Sequence, residues 1–212
     1  MEVESYVAPA WSRDEVRAEL GLTDVDFVLG TIARLAELKG HDDLLDGLGD
    51  LMTRRPELKL LWVGDGWWAD RLLGRVRDMG LADRVVTTGL VPSEQIPKYL
   101  QAMDVLAHPS YREGLPRTVT QALLNGTAVV AYDVDGTREV CLDGETGRLV
   151  APGDLTALRE AVMWMMDHPG PRDEMGRRGQ AMCRDRFDAA RMVDHLEGIY
   201  AEVLAQSGSQ AH

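Results

Sequence analysis

Two cations follow the first apolar run of the sequence at a spacing that suits a phosphate group. Arg34 and Lys39 stand just beyond the run Phe27 to Ala33, and Gly40 comes next. An arginine offers a planar fork for two oxygens, a lysine offers a mobile point charge, and a glycine lets the backbone approach closely. Taken alone, such a pair is more often two solvated surface charges. Combined with the residues described next, it predicts a clamp for a diphosphate.

A second group of chemically useful residues follows another apolar run, which ends at His108. Glu113, Gly114, Leu115 and Pro116 stand there, and Pro116 suits the first position of the helix that the next residues predict. The free N–H groups and the positive dipole end of that helix favour an anion. Beside an anion, Glu113 suits neutral sugar hydroxyls, whose hydrogen bonds a carboxylate accepts. The other interpretation is that Glu113 only caps or solvates the turn.

A third pattern points to a different chemistry. Gly64 and Gly66, with Ala69, match the G-x-G-x-x-A fingerprint of dinucleotide-binding domains. That fingerprint belongs on the first strand of the sheet, and it requires an acid at the end of the next strand. Here the pattern follows the second predicted strand, and the strand after it ends in Thr87 to Gly89. We therefore disfavour an NAD-binding domain.

The elements that must position these residues alternate between β-rich runs and amphipathic stretches. Most of the runs are continuously apolar, as is typical of strands that helices cover on both faces. The rhythm predicts an α/β fold, a Rossmann-like doubly wound parallel sheet with C-terminal helices, whose ligands bind beyond the carboxyl ends of the strands. The predicted strands are Phe27 to Ala33, Leu58 to Val63, Arg84 to Thr88, Asp104 to His108, Ala128 to Asp133 and Arg148 to Val150.

The same patterns divide the chain into four stretches. We predict a linker and a first helix over residues 1–26, the nucleotide-binding core over 27–153, C-terminal helices over 154–206 and a flexible tail over 207–212. The last of three predicted C-terminal helices has an apolar face formed by Met192, Leu196, Ile199, Tyr200, Val203 and Leu204.

Composition excludes several classes of protein. The formal net charge is -12 in 212 residues, and there is no dense Lys/Arg stripe, so we expect no nucleic-acid partner. No apolar run approaches the length of a membrane-spanning helix, and the first residues are acidic where a signal peptide would be basic. The two cysteines stand far apart without further ligands at metal-binding spacing. These features predict a cytoplasmic protein without a metal site.

Five ordered motifs together resemble the C-terminal donor-binding domain of the family 4 retaining glycosyltransferases, which have a two-domain B-type fold. They are Gly30 to Leu35 with Lys39 and Gly40, Val63 to Gly66, Gly89 to Pro92, Ser110 with Glu113 to Pro116, and Asp143 to Gly147. The resemblance implies a nucleoside-diphosphate sugar as substrate, with no cofactor and no metal ion. Arg34 and Lys39 would bind the diphosphate and Glu113 the transferred sugar. Further donor contacts would come from Gly64, Gly66, Leu90, Val91, Pro92, Gly114, Leu115 and Pro116.

The sequence departs from the family pattern at three places. Gln121 replaces the second acid of the family's E-x7-E motif, which holds the ribose hydroxyls, and we expect the amide to keep that role with weaker hydrogen bonds. Gly126 to Ala128 replaces a common Gly-x-Pro, and Asp135 to Thr137 replaces a pair of glycines near the donor phosphates. These last two changes bear on donor preference more than on fold.

The resemblance also implies a partner domain that this sequence does not contain. An N-terminal domain would carry the acceptor contacts, would close over the donor and would provide any peripheral contact with a membrane. We expect the chain alone to be inactive, because its cleft stays open to water. Two alternatives remain at this point: a non-catalytic module that binds a sugar nucleotide, and a sugar-nucleotide epimerase.

Overall fold

Six short apolar segments form one parallel sheet in the computed structural model, which describes residues 3–187, residue 193 and residues 197–200. Continuous burial of both faces explains why these segments show little alternation of polar and apolar residues. The strands are β1 (Phe27–Ile32), β2 (Leu58–Val63), β3 (Val85–Thr87), β4 (Val105–His108), β5 (Ala128–Tyr132) and β6 (Gly147–Val150).

The strand order is β3-β2-β1-β4-β5-β6, and every neighbouring pair is parallel. The order reverses between β1 and β4, so the helices that follow these two strands cover opposite faces of the sheet. A cleft forms at such a point, beyond the carboxyl ends of the strands. The predicted doubly wound sheet is confirmed, and Arg34, Lys39 and Glu113 all stand in the two loops that border the cleft.

Nine α-helices lie within residues 3–187, and they cover both faces of the sheet. Helices α3 and α8 contribute to one apolar cluster, around Leu44, Leu60 and Val162, while α5 and α6 contribute to the other, around Leu100, Leu106 and Leu123. The helices are α1 (Glu4–Val7), α2 (Arg13–Glu19), α3 (His41–Arg54), α4 (Ala69–Asp78), α5 (Ile96–Ala102), α6 (Arg117–Leu124), α7 (Thr137–Val140), α8 (Leu155–Asp167) and α9 (Pro169–Arg186).

The segment ahead of the core is more ordered than a linker. Helix α2 begins with a capping box, in which Ser12 and Glu15 satisfy each other's backbone N–H groups. The buried guanidinium of Arg17 lies 2.7 Å from Asp104 and also donates to the carbonyl of Ala102. These contacts fasten α2 to the residues just before β4.

The predicted boundaries need small corrections. Five of the six predicted strands differ from the observed ones by one residue at one or both ends. Helix α6 begins at Arg117, one residue later than predicted, because Pro116 has extended ψ and serves as the N-cap. Most of the predicted last helix, and the tail, lie outside the described residues. None of the described helices is long and apolar enough to cross a membrane.

Candidate active site at the carboxyl edge of the sheet

The loop after β1 and the loop after β4 are packed tightly against each other. The N–H of Tyr111 donates to the carbonyl of Leu38 at 2.9 Å. Gly40 has φ +69°, and a Cβ atom at this position would lie 2.0 Å from the carbonyl oxygen of Pro109. Only glycine permits both this backbone conformation and this approach. The contact places Lys39 beside the residues that follow Pro109.

Lys39 and Glu113 form the central ion pair of the site. Lys39 Nζ donates to Glu113 Oε1 at 2.6 Å and to Ser110 Oγ at 3.3 Å. Nε2 of His108 lies 3.2 Å from the same Glu113 oxygen. The sequence prediction that these loops meet in one cleft is therefore confirmed for Lys39 and Glu113.

The environment of Glu113 keeps its carboxylate charged. Burial alone would raise the pKa of this group, but contacts with His108, Lys39 and Ser110 lower the pKa to about 2. The side chain is 15% exposed, so it remains accessible from the cleft. A charged acid with a fixed orientation can accept hydrogen bonds from a polyhydroxylated ligand.

Arg34 occupies a different part of the same edge. Its guanidinium lies 5.4 Å from the ring centroid of Trp67, which is 70% exposed and follows β2. Within the described residues, Arg34 has no salt bridge to an acid. The structure records no direct contact between Arg34 and the Lys39–Glu113 pair. Arg34 therefore stands as an exposed cation on an aromatic face, available to an anion.

The glycines after β2 have a packing role. Gly64 has φ +137°, and added Cβ atoms at Gly64 and Gly66 would lie 2.1 Å and 2.3 Å from the carbonyl oxygens of Ala33 and Leu35. They let the loop after β2 approach the loop that carries Arg34. This accounts for the G-x-G pattern without a dinucleotide, because the turn follows the second strand rather than the first one. Any contact of these two glycines with a donor stays a prediction.

The predicted donor-binding residues after β3 and β4 differ in exposure. Leu90 is 83% exposed, Val91 packs partly against the apolar cluster under α5 and α6, and Pro92 is exposed and precedes a 3-10 turn. Leu115 is 49% exposed. Gly114 to Pro116 lead directly into α6, and no side chain caps that helix. Its first N–H groups therefore remain available at the cleft.

A cavity of about 640 Å³ lies in front of Glu113. This volume is in the range of small-molecule sites, which is roughly 300 to 1,000 Å³. Asp135 accepts a hydrogen bond from the N–H of Glu113 at 2.9 Å, and the N–H of Gly136 donates to the carbonyl of Gly114 at 3.1 Å. The cavity is lined by Arg112, Glu113, Gly114, Leu115, Asp135, Gly136 and Glu139.

Gln121 forms a hydrogen bond with Tyr6, in the segment that precedes β1. Its Nε2 donates to the hydroxyl of Tyr6 at 2.6 Å, and both side chains are buried. A second cavity, of about 220 Å³, lies between these two residues and the start of α5, with Arg117 on its wall. The amide nitrogen is occupied by Tyr6, so the amide oxygen is the atom that could accept from a ligand hydroxyl.

Sequence reasoning missed three residues of this site. His108 marks only the end of an apolar run in the sequence, although it contacts Glu113. Asp135 was noted only as a departure from a glycine pair, and Tyr6 was placed in a linker. One sequence pattern indicates Asp135 as a site residue, namely an acid next to a glycine after a predicted strand. No comparable pattern indicates Tyr6. Among the described residues, no three His, Cys, Asp or Glu side chains converge as a metal site requires.

Comparisons with known proteins agree with this geometry. Residues 12–182 match the family model of the glycosyl transferases group 1. The 2-deoxystreptamine glucosyltransferase of Streptomyces kanamyceticus is 33% identical over 183 residues, which are 84% of this chain and 46% of that protein. The chain thus spans about half the length of the curated relatives that it matches.

Solved structures show the same fold. HepE of Anabaena in complex with UDP superposes with a TM-score of 0.86 at 25% identity, over 95% of this chain and 56% of that one. The C-terminal domain of a group 1 glycosyl transferase, LpcC of Francisella tularensis, superposes with a TM-score of 0.79 at 18% identity, over 89% of this chain and 99% of that one. A domain of this fold can therefore be solved on its own. With its family match, its doubly wound sheet and its cleft at the carboxyl edge, the chain belongs to the group 1 glycosyltransferases.

Proposed function

We propose that this chain binds a nucleoside-diphosphate sugar and, with a second domain, transfers the sugar to an acceptor. The observation that carries the proposal is the pairing of Lys39 with Glu113, which lines a cavity together with Gly114 and Leu115, just ahead of the uncapped start of α6. This arrangement offers a cation and free N–H groups to a diphosphate, and a charged carboxylate to sugar hydroxyls. HepE, a structural neighbour, binds UDP.

The chemistry that these residues suit is electrostatic. In the reaction, the bond between the anomeric carbon and the diphosphate oxygen breaks, and the acceptor oxygen bonds to that carbon as it loses its proton. The diphosphate leaves with the electron pair, so negative charge develops on it. Arg34, Lys39 and the N–H groups of Gly114 and Leu115 would stabilise that charge without a metal ion. Retention of the anomeric configuration is proposed from the family resemblance.

The nucleoside part of the donor would lie toward α5 and α6. Leu90 to Pro92 supply an exposed apolar surface for the base. Gln121 supplies one amide oxygen to a ribose hydroxyl, because its nitrogen is held by Tyr6. The neutral amide makes this hydrogen bond weaker than the one that a carboxylate would accept.

A second domain is part of the proposal, because the chain spans only about half of its curated relatives. That domain would bind the acceptor, would exclude water from the cleft and would make any contact with a membrane surface. We therefore expect the isolated chain to bind donors but to transfer sugar at a negligible rate.

Calorimetric titration of the chain with UDP, GDP and ADP tests the proposal. We expect at least one of them to bind, and Arg34→Ala to weaken that binding about tenfold, since a charge-assisted contact contributes about 1.5 kcal/mol. Arg34 suits this test because its removal leaves no acid unpaired. Lys59→Ala is the matched control, since Lys59 bonds to the backbone of Asp83, away from the cleft. Absence of binding to all three nucleotides, or unchanged binding by the Arg34 variant, would contradict the proposal.

A further inference from the structure

The cavity in front of Glu113 is lined by more acidic residues than a diphosphate-binding site needs. Three of its seven lining residues are acidic, and Arg112 is the one cation among them. Glu113 is paired with Lys39, but Asp135 and Glu139 have no salt-bridge partner among the described residues. Both residues are exposed: Asp135 lies in the loop between β5 and α7, and Glu139 lies within α7. The part of the cavity away from Lys39 is therefore negatively charged.

Asp135 is held in place beside the sugar-binding residue. It is the one residue other than glycine with positive φ in the described part of the chain, at +42°. Its Oδ2 accepts from the N–H of Glu113 at 2.9 Å, and the neighbouring bond between Gly136 and Gly114 fixes the two loops together. Its other oxygen, Oδ1, has no hydrogen-bond partner among the described residues and can accept a hydrogen bond. The negative charge of Asp135 is thus held at a fixed position next to Glu113.

We infer that Asp135 is a specificity-determining residue, which restricts the donor to sugars without a negative charge. The inference rests on the proposed function, and it adds the chemical class of the transferred sugar. A hydroxyl or an ammonium group can donate to Asp135 Oδ1 and gain a charge-assisted hydrogen bond. A carboxylate on the sugar meets a second carboxylate that cannot turn away, and the repulsion weakens binding.

The test compares UDP, UDP-glucose and UDP-glucuronate as ligands of the full chain and of its Asp135→Asn variant. Asparagine tolerates positive φ, and its side-chain oxygen still accepts from Glu113, so the variant removes the charge and keeps the loop. We expect UDP-glucuronate to bind the variant about tenfold more tightly than it binds the wild type. This is the repulsion between two negative charges about 6 Å apart at an effective dielectric constant of about 40. Binding of UDP and UDP-glucose should change by less than about threefold.

Two further variants sharpen the result. Glu139→Gln removes the second unpaired acid of the cavity. It should also raise the affinity for UDP-glucuronate relative to UDP-glucose, which is the preference that the Asp135 variant tests. Glu145→Gln removes an exposed acid that does not line the cavity, and it should leave the preference unchanged. If UDP gains as much affinity as UDP-glucuronate in the Asp135 variant, the charge acts on the diphosphate and the inference is wrong. An unchanged preference in both cavity variants overturns it too, and a chain that binds none of UDP, GDP and ADP contradicts the proposed function itself.

Discussion

Glu113 stands between the residues proposed for the diphosphate and the surface proposed for the sugar. Its carboxylate pairs with Lys39 at 2.6 Å and so offsets part of the ammonium charge that a diphosphate would use. The same carboxylate is the group proposed to accept hydrogen bonds from the sugar hydroxyls. The carboxylate therefore weakens the binding of the diphosphate and strengthens the binding of the sugar. A substitution of Glu113 can separate these two effects.

We predict that Glu113→Gln affects UDP and UDP-glucose in opposite directions. UDP alone should bind about threefold more tightly, because Lys39 is no longer offset by a carboxylate. The extra affinity that the glucose part contributes should be lost, because the amide forms weaker hydrogen bonds with hydroxyls. Calorimetry with both ligands measures the two effects. Equal weakening of both ligands would mean that the variant has disturbed the loop and that Glu113 has no separate role toward the sugar.

The elements at the site also determine how the chain responds to acid. His41 begins α3, directly after the Lys39-Gly40 turn, and it is 1% exposed. Neither of its ring nitrogens has a hydrogen-bond partner in the part of the chain that the structure describes, and the ring packs edge-on against Trp62 with centroids 5.2 Å apart. Burial lowers the pKa of this histidine to about 4, so the native state keeps it neutral.

This burial predicts a loss of stability in mild acid. Between pH 6.5 and about 4 the unfolded chain takes up a proton at His41 and the native chain does not, so the free energy of unfolding falls as the pH falls. The full effect is about 3 kcal/mol, or about 1.4 kcal/mol for each pH unit. Urea unfolding of the wild type and of His41→Phe at pH 7, 6 and 5 measures it. The stability of the variant relative to wild type should rise as the pH falls, and a constant difference would show that His41 takes up its proton equally in the native and unfolded states.

The strands could be predicted from the sequence because burial on both faces leaves a clear pattern. Leu58 to Val63 is apolar apart from Lys59, and the predicted limits agree with the observed strand. Strand β6 was harder to delimit, because Gly147 lacks a side chain and Arg148 and Leu149 are only half-buried. The start of α6 was placed one residue early because a proline suits both the N-cap and the first helical position, and only the observed ψ distinguishes the two.

At the scale of the whole molecule, the topology of the sheet brings distant residues together. The strand order places the loops after β1 and β4 side by side, which is why the meeting of Lys39 and Glu113 could be predicted from parallel strands alone. The contact of Asp135 with Glu113 depends on one residue with positive φ, and the contact of Tyr6 with Gln121 joins residues 115 positions apart. Neither contact follows from periodicity, because both depend on how irregular segments pack.

The molecule also has a cavity at the opposite edge of the sheet. The location of a bound nucleotide sugar therefore tests the claim that it binds at the carboxyl edge. That cavity, of about 370 Å³, lies at the amino ends of the strands and includes Arg13, Asp104, Thr127 and Arg172 in its lining. Asp104 is occupied there by Arg13 and Arg17, so its charge is already offset. We therefore expect a nucleotide sugar to bind at the carboxyl edge only.

Amide chemical-shift mapping of the isotope-labelled chain with UDP-glucose tests this claim most directly. The account predicts that the shifts that change most belong to Lys39, Glu113, Gly114 and Leu115, with smaller changes near Arg34 and Leu90. These residues come from three different loops, and the sheet brings them to one edge. Changes confined to the amino-edge cavity would contradict the account, and so would spectra that respond to none of UDP-glucose, GDP-glucose and ADP-glucose.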